Sequence, residues 1–123
     1  MLFRSPTEDG EIPDCAGMIA AVEAVTGHTV EIIVGKPSPI ILEVALARLG
    51  VIAAECVIVG DRIETDIVMG KRLGLTTVLV LSGITRAGDP RIAEIAPDLV
   101  LGSLADLLES GGRMIMSRQG DST

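Results

Sequence analysis

The stretch Glu55-Cys-Val-Ile-Val-Gly-Asp-Arg-Ile-Glu-Thr-Asp-Ile67 decides the fold of this chain. Its apolar, β-branched-rich run at residues 56–59 is typical of a strand buried on both faces of a parallel sheet. Gly60 ends that run, and Asp61 and Asp66 follow it, five residues apart. In open α/β sheets ligands bind beyond the carboxyl ends of the strands, where carboxylates are natural ligands for a hard cation such as Mg²⁺. The stretch therefore predicts a buried strand that ends in an acidic, ligand-binding turn.

The two aspartates also have a purely structural interpretation. Residues 63–73 have helical character and stop at Gly74, so Asp61 and Asp66 lie at the start and in the first turns of a predicted helix. One aspartate would then cap the helix, and the other would complement its dipole. The acidic pair alone does not distinguish this role from metal binding.

A lysine upstream changes the balance between the two interpretations. Lys36 follows the apolar run 29–34, which predicts another strand, and Pro37 and Pro39 restrict the backbone around it. An isolated lysine is usually a solvated loop residue. A lysine at the end of a strand, together with an acidic pair, indicates a cation held near phosphate.

Together, Gly35-Lys-Pro-Ser-Pro39 and Val59-Gly-Asp-Arg-Ile-Glu-Thr-Asp-Ile67 resemble the third and fourth motifs of haloacid dehalogenase (HAD) superfamily phosphatases. The content, order and spacing of both motifs agree, and the chain looks like the 4-nitrophenylphosphatase and sugar-phosphatase branch. The resemblance extends from about Pro6 to about Glu109. It implies an α/β doubly wound parallel sheet, the Rossmann-like core of the superfamily, of which this chain would be the carboxyl-terminal part.

The same resemblance implies roles for three residues. Asp61 would be a ligand of Mg²⁺, Asp66 would orient the metal or its water shell, and Lys36 would neutralise a phosphoaspartate and the substrate phosphate. The implied partner is a small phosphorylated substrate. These roles agree with the chemistry, because phosphoryl transfer gains most from positive charge positioned around the phosphoryl oxygens.

The chain departs from the family pattern in one respect. The enzymes it resembles carry their nucleophile in an Asp-x-Asp motif on the first strand, and no two aspartates of this sequence are two residues apart. We therefore expect the isolated chain to be inactive. The strand at 56–59 would pair with the strand at 76–81 on one side and would lack the nucleophile strand on the other. Such an apolar edge predicts a homodimer or larger homo-oligomer.

Two other functions remain open from the residues themselves. A non-catalytic α/β module, which binds a cation or another chain through the open edge, is favoured by the missing Asp-x-Asp motif. A receiver-like domain that accepts phosphate on an aspartate is weaker, because Lys36 precedes the acidic turn. The lysine of a receiver follows its phosphoaccepting aspartate.

Composition excludes several classes of function. The 123 residues predict one domain, and aromatic residues are only 1% of them, so the core must be aliphatic. A net charge of −7 argues against nucleic acid and anionic membranes as partners. No uninterrupted apolar run of about 18 residues and no signal-peptide pattern occur, which predicts a cytoplasmic protein. Cys15 and Cys56 are expected to be free thiols.

The remaining sequence divides the chain into three parts. Residues 1–13 predict an irregular lead-in, residues 14–112 a partial HAD-like core domain, and residues 113–123 a disordered tail. Within the core, Asp14 and Gly27 predict the two ends of a helix with one apolar stripe. Residues 82–85 are expected at the same sheet edge as Asp61, because parallel strands present their carboxyl ends to one side.

Overall fold

The structure, a computed structural model, describes residues 4–109. Its strands and helices are, in chain order, β1 (Arg4–Thr7), β2 (Gly10–Pro13), α1 (Cys15–Thr26), α2 (Ile40–Leu49), β3 (Val57–Gly60), α3 (Val68–Leu73), β4 (Thr76–Val80), α4 (Arg91–Ile95), β5 (Leu99–Leu101) and α5 (Leu104–Glu109). A 3₁₀ turn (Ala53–Glu55) precedes β3, and a π-helical turn (Ile63–Ile67) precedes α3. The tail predicted at 113–123 lies outside the described residues.

Strands β3, β4 and β5 form a parallel sheet with β4 in the middle. Val57 lies opposite Thr76, and Val78 lies opposite Leu99. Because α3 connects β3 to β4 and α4 connects β4 to β5, the chain has the alternating strand and helix order of parallel α/β folds. This confirms the predicted α/β class and the predicted pairing of the strand before Asp61 with the strand that begins at Thr76.

The core is aliphatic, as the composition predicts. Ile63, Ile67 and Leu79 are fully buried and pack with partly buried residues of the loop after β4 and of α4. Helix α3 lies close to the sheet, because a methyl group at Gly70 would overlap the side chains of Ile58 and Thr77. The core therefore sits between β4 and the turn that carries the acidic motif.

Two sequence predictions of local structure were wrong. Residues 29–34 form no strand in the structure, and Ile32 is 66% exposed. An apolar run becomes a strand only where a neighbouring strand pairs with it, and no described strand does so here. Residues 4–13, expected to be irregular, form an antiparallel hairpin. The hairpin is solvent-exposed on nearly every residue, so its sequence lacks the alternation of a half-buried strand.

The first helix has the ends that the sequence predicts but no partner for its apolar stripe. The Asp14 side chain accepts a hydrogen bond from the main-chain N–H of Cys15 at 2.6 Å, and Gly27 ends the helix with a φ of 69°. On the stripe, however, Met18 is 63% exposed and Val25 is 87% exposed. The described part of the chain therefore leaves α1 without an apolar surface to cover it.

Strand β3 forms one edge of the described parallel sheet. The N–H of Thr76 donates to the carbonyl of Cys56 at 3.2 Å, which places the main-chain groups of Cys56 on the β4 side. Bonding sides alternate along a parallel strand. The N–H and C=O groups of Val57 and Val59 therefore face away from β4, toward the open edge.

In the part of the chain that the structure describes, no helix has the length and apolar character needed to cross a membrane.

The side chain of Asp98 joins the start of β5 to β4. One of its carboxylate oxygens accepts hydrogen bonds from the main-chain N–H of Thr77 at 2.9 Å and from its hydroxyl at 2.7 Å. Thr77 is completely buried. Removing this carboxylate would leave two buried donors without their acceptor.

We predict that Asp98→Ala lowers the free energy of unfolding by about 2 kcal/mol, because buried unsatisfied donors are costly. Urea unfolding followed by circular dichroism measures the change. Glu94→Ala, which removes an exposed carboxylate on α4, is the matched control and should change the midpoint little. Equal midpoints for the two variants would show that the Asp98 contacts do not stabilise the sheet.

Candidate functional site

The loop after β4 holds Asp61 in place at the end of β3. The N–H of Ile84 donates to Asp61 Oδ2, and the N–H of Thr85 donates to the Asp61 main-chain carbonyl, both at 2.9 Å. A methyl group at Gly83 would overlap the Asp61 carboxylate, so only glycine leaves room for it there. This confirms that residues 82–85 lie at the same edge of the sheet as Asp61. The other carboxylate oxygen of Asp61 receives no hydrogen bond from the described residues.

Asp66 forms an ion pair with Lys36 across thirty residues of sequence. Lys36 Nζ lies 2.8 Å from Asp66 Oδ1, and the main-chain N–H of Arg62 donates to Asp66 Oδ2 at 3.2 Å. The Asp66 side chain is 11% exposed and that of Lys36 is 54% exposed. Gly60 gives Asp66 its room, because a methyl group there would overlap the Asp66 side chain. Asp66 therefore holds Lys36 in place while the ammonium group remains open to a ligand.

A π-helical turn, where the sequence predicts regular helix, carries the acidic motif. The N–H of Val68 bonds to the carbonyl of Ile63, five residues earlier. The buried Thr85 hydroxyl fixes the start of this turn by accepting a hydrogen bond from the N–H of Ile63 at 3.1 Å. Such turns are frequent at functional sites. The turn directs both Thr65 and Asp66 inward, and the whole residues are 3% and 7% exposed.

A cleft of ≈ 580 Å³ lies beyond the carboxyl end of β3. The structure brings Lys36, Asp61 and Asp66, the three site residues predicted from the sequence, to this one cleft. The other residues that line the cleft form two groups. The apolar group is Ile19, Val30, Ile32, Ile33, Val34, Gly35 and Ile84, and the polar group is Asp14, Cys15, Arg62 and Thr65.

The charged side chains that line the cleft are the carboxylates of Asp14, Asp61 and Asp66 and the cations Lys36 and Arg62. Hydrogen bonds from the Ser5 hydroxyl and from the main-chain N–H of Cys15 hold the pKa of the Asp14 carboxyl below its ordinary value. Asp14 is therefore an anion at neutral pH, beside the cation Arg62. Cys15 and Cys56 are free cysteines, as the sequence predicts.

Within residues 4–109, no three His, Cys, Asp or Glu side chains are grouped so as to enclose a metal ion. The Asp66 oxygens already accept hydrogen bonds from Lys36 and Arg62, whereas Asp61 has one oxygen without a donor. Mg²⁺ keeps several waters when one or two carboxylates bind it. The donor set therefore fits a hydrated Mg²⁺ held mainly by Asp61.

Sequence reasoning missed several residues that build this site. Gly83 and Ile84 position the Asp61 carboxylate, and Thr65 lines the cleft with a buried hydroxyl. The glycine-containing loop at a strand end was a signal for the first two. Nothing in the sequence distinguished Thr65 from an exposed helix residue, because the π-helical turn changes which side chains point inward.

Comparisons with known proteins agree with this architecture. The model of the HAD-hydrolase-like family matches residues 33–107. The chain is 45% identical over 102 residues to the sugar-phosphatase AraL of Bacillus subtilis, covering 83% of this chain and 37% of that protein. It is 38% identical over 98 residues to the ribonucleotide monophosphatase NagD of Escherichia coli, covering 80% of this chain and 39% of NagD.

A solved structure shows the same likeness in three dimensions. The 4-nitrophenylphosphatase of Thermotoga maritima superimposes with a TM-score of 0.78 at 37% sequence identity, over 87% of this chain and 41% of that chain. The present chain thus spans less than half the length of each of these relatives. The family model covers more than half of the chain and includes Lys36, Asp61 and Asp66. The chain belongs to the HAD-hydrolase-like family.

Proposed function

We propose that this chain supplies the metal-binding and lysine part of a Mg²⁺-dependent phosphomonoester phosphatase site. The observation that supports this most is the convergence of Lys36, Asp61 and Asp66 on one cleft beyond the carboxyl end of β3. Matched relatives are named as a sugar phosphatase and a ribonucleotide monophosphatase. A small phosphorylated molecule is therefore the proposed class of substrate, and the cytoplasm is the proposed compartment.

Each of the three residues has a distinct part in this proposal. Asp61 would hold Mg²⁺ through its free carboxylate oxygen, while Ile84 and Gly83 keep that carboxylate in position. Mg²⁺, when bound, supplies positive charge close to the phosphoryl oxygens. Lys36, held by Asp66 and more than half exposed, would neutralise the charge of the bound phosphate. Asp66 would hold Lys36 in position through their ion pair and would orient the water shell of the metal.

The nucleophile of the proposed reaction lies outside this chain. The sequence contains no Asp-x-Asp motif, and without a covalent nucleophile only water remains as an attacker. We infer that the isolated chain does not turn over phosphate esters. An amino-terminal part, encoded separately or joined upstream, would complete the site.

We also propose that the isolated chain forms a homodimer or a larger homo-oligomer through β3. The main-chain groups of Val57 and Val59 face the open edge, where no strand of residues 4–109 pairs with them, and Val59 is 37% exposed. An apolar edge of this kind pairs with another strand, and two copies related by a two-fold axis can pair identical edges antiparallel. Asp61 follows β3 directly, so the dimer would place the two metal sites near its interface.

The proposed metal site is tested by calorimetry. Mg²⁺ should bind weakly to the isolated chain, because one free carboxylate oxygen replaces little of the ion's water. Asp61→Asn should weaken binding about tenfold or more, since it removes the charge that attracts the ion. Asp9→Asn, in the exposed turn of the hairpin, is the charge-matched control. Tight binding that survives Asp61→Asn would place the metal elsewhere.

A further inference from the structure

The turn that carries Lys36 has little support from the chain segments on either side of it. Residues 28–36 are exposed and form no strand or helix. Helix α2, which follows the turn, has no buried residue. A hydrogen bond from the N–H of Ser38 to the carbonyl of Gly35, at 3.1 Å, closes the turn but does not attach it to the sheet. The position of Lys36 therefore depends on contacts between the turn and more distant parts of the chain.

Two contacts join this turn to the segment that runs from the acidic motif into α3. The first is the ion pair of Lys36 with Asp66. In the second, Nη1 of Arg72 donates a hydrogen bond to the main-chain carbonyl of Pro37 at 3.1 Å, across 35 residues of sequence. Pro37 directly follows Lys36. The second contact therefore holds the backbone beside the lysine.

Helix α3 gives Arg72 a firm base. Met69 is 4% exposed, so the helix is anchored in the core one turn before Arg72. Gly70 lies so close to the sheet that a methyl group there would overlap Ile58 and Thr77. Arg72 itself is exposed. Its guanidinium group keeps its charge and presents several donors in a rigid plane, which suits it to hold a carbonyl in one place.

The ion pair alone gives Lys36 only weak restraint. The Lys36 side chain is 54% exposed. Ion pairs of exposed side chains contribute little, because long side chains must be ordered and water screens the charges. A second contact that fixes the backbone lowers the conformational entropy that is lost when the ion pair forms. Groups at functional sites need such support from neighbours that do not touch the ligand.

We propose that Arg72 is a positioning residue for Lys36: its bond to the Pro37 carbonyl holds the turn so that Lys36 stays paired with Asp66. The value of this position for phosphoryl transfer rests on the proposed function, whereas the contact itself does not. An alternative role for Arg72 is to complement the dipole at the carboxyl end of α3, because it lies in the last turn. Arg48 lies in the last turn of α2 and therefore gives a matched control.

The test measures how fast a water-soluble acetylating reagent modifies Lys36 in the full 123-residue chain, followed by peptide mass spectrometry. An amine reacts only when it leaves its ion pair. Arg72→Met keeps the length of the side chain but removes its donors, and should raise the rate at Lys36 about threefold. Arg48→Met removes an exposed arginine from an equivalent helix end and should leave that rate unchanged.

The second lysine of the chain shows whether the effect is local. Lys36 and Lys71 are the two lysines of the sequence, and Lys71 is the residue directly before Arg72. Its Nζ lies 4.0 Å from Asp98 Oδ1. A general loosening of α3 would speed the reaction at both lysines. Under the positioning role, the rate at Lys71 should change less than about twofold in Arg72→Met.

A double-mutant cycle separates positioning from a general effect on the fold. Asp66→Asn removes the ion pair but keeps the shape of the side chain, so Lys36 should react about threefold faster. Arg72→Met should add little to the rate in this background, because no ion pair remains for it to support. Circular dichroism checks that each variant is folded. Arg72→Met should change the melting temperature little, since the residue is on the surface.

Several results would overturn the inference. These are an unchanged Lys36 rate in Arg72→Met, an equal rise in Arg48→Met, an equal rise at Lys71, or a full threefold gain on top of Asp66→Asn. If Asp66→Asn does not fold, the comparison of Arg72→Met with Arg48→Met decides by itself. The measurement uses no Mg²⁺ and no phosphate ester, so its failure leaves the Mg²⁺ test of the proposed function unaffected.

Discussion

Lys36→Ala and Asp61→Ala should each lower kcat of a reconstituted phosphatase by about 10²–10³-fold, the loss expected when one group that stabilises transition-state charge is removed. The enzyme for this experiment is the present chain co-expressed with the part of AraL that the chain does not cover. Hydrolysis of 4-nitrophenyl phosphate in Mg²⁺ gives the rate. The effect is large because Lys36 and the metal held by Asp61 would supply the positive charge around the transferred phosphoryl group.

Two controls define this result. Glu94→Gln removes a charge from the exposed face of α4 and should leave the rate unchanged. The 123-residue chain alone should show no turnover, since it lacks the nucleophile motif. Suppose that the pure chain hydrolyses the ester with Mg²⁺ and loses that activity in Asp61→Ala. Another residue of this chain is then the nucleophile, and the proposal that the nucleophile lies outside this chain is wrong.

Val59→Pro should convert the isolated chain from a homodimer or larger assembly to a monomer at micromolar concentration. Proline removes an N–H that faces the open edge of β3, while the bonds from Cys56 and Ile58 to β4 remain. The fold of the chain should therefore survive, and the edge should lose its ability to pair. Sedimentation equilibrium measures the mass, and circular dichroism checks the fold. Val59→Thr keeps the N–H and should remain associated.

A monomeric mass for the natural chain, together with cooperative unfolding, would contradict the proposed assembly. So would an assembly that Val59→Pro leaves intact, because another surface would then form the interface. The exposed stripe of α1, which includes Val22 and Val25, would be the next surface to test.

Features with strong local signals were predictable from the sequence. Asp14 and Gly27 mark the ends of α1 because each supplies the hydrogen bond or backbone conformation that a helix end needs. The apolar run before Gly60 predicts β3 because its length and β-branched content suit a parallel strand. The convergence of Lys36 with the acidic turn followed from the family resemblance, since residues 29–34 form no strand that would place Lys36 at the shared carboxyl edge.

Features that depend on tertiary contacts were not predictable. The run at 29–34 has the composition of a strand, but strand formation needs a neighbour that the described residues do not provide. The π-helical turn depends on the Thr85 hydroxyl and on Asp66 turning inward to meet Lys36, both of them long-range contacts. The hairpin at residues 4–13 has no buried face and therefore no periodic signal.

The most direct test of the central claim, that Asp61 holds Mg²⁺ in the cleft beside Lys36 and Asp66, is a titration followed by NMR. Mg²⁺ is added to the ¹⁵N-labelled chain, and the amide signals are compared with those of Asp61→Asn. The signals of Gly60, Asp61 and Ile84 should move progressively in the natural chain and should stay still in the variant. Shifts confined to other parts of the chain, or shifts that persist in Asp61→Asn, would contradict the assignment of this cleft as the metal site.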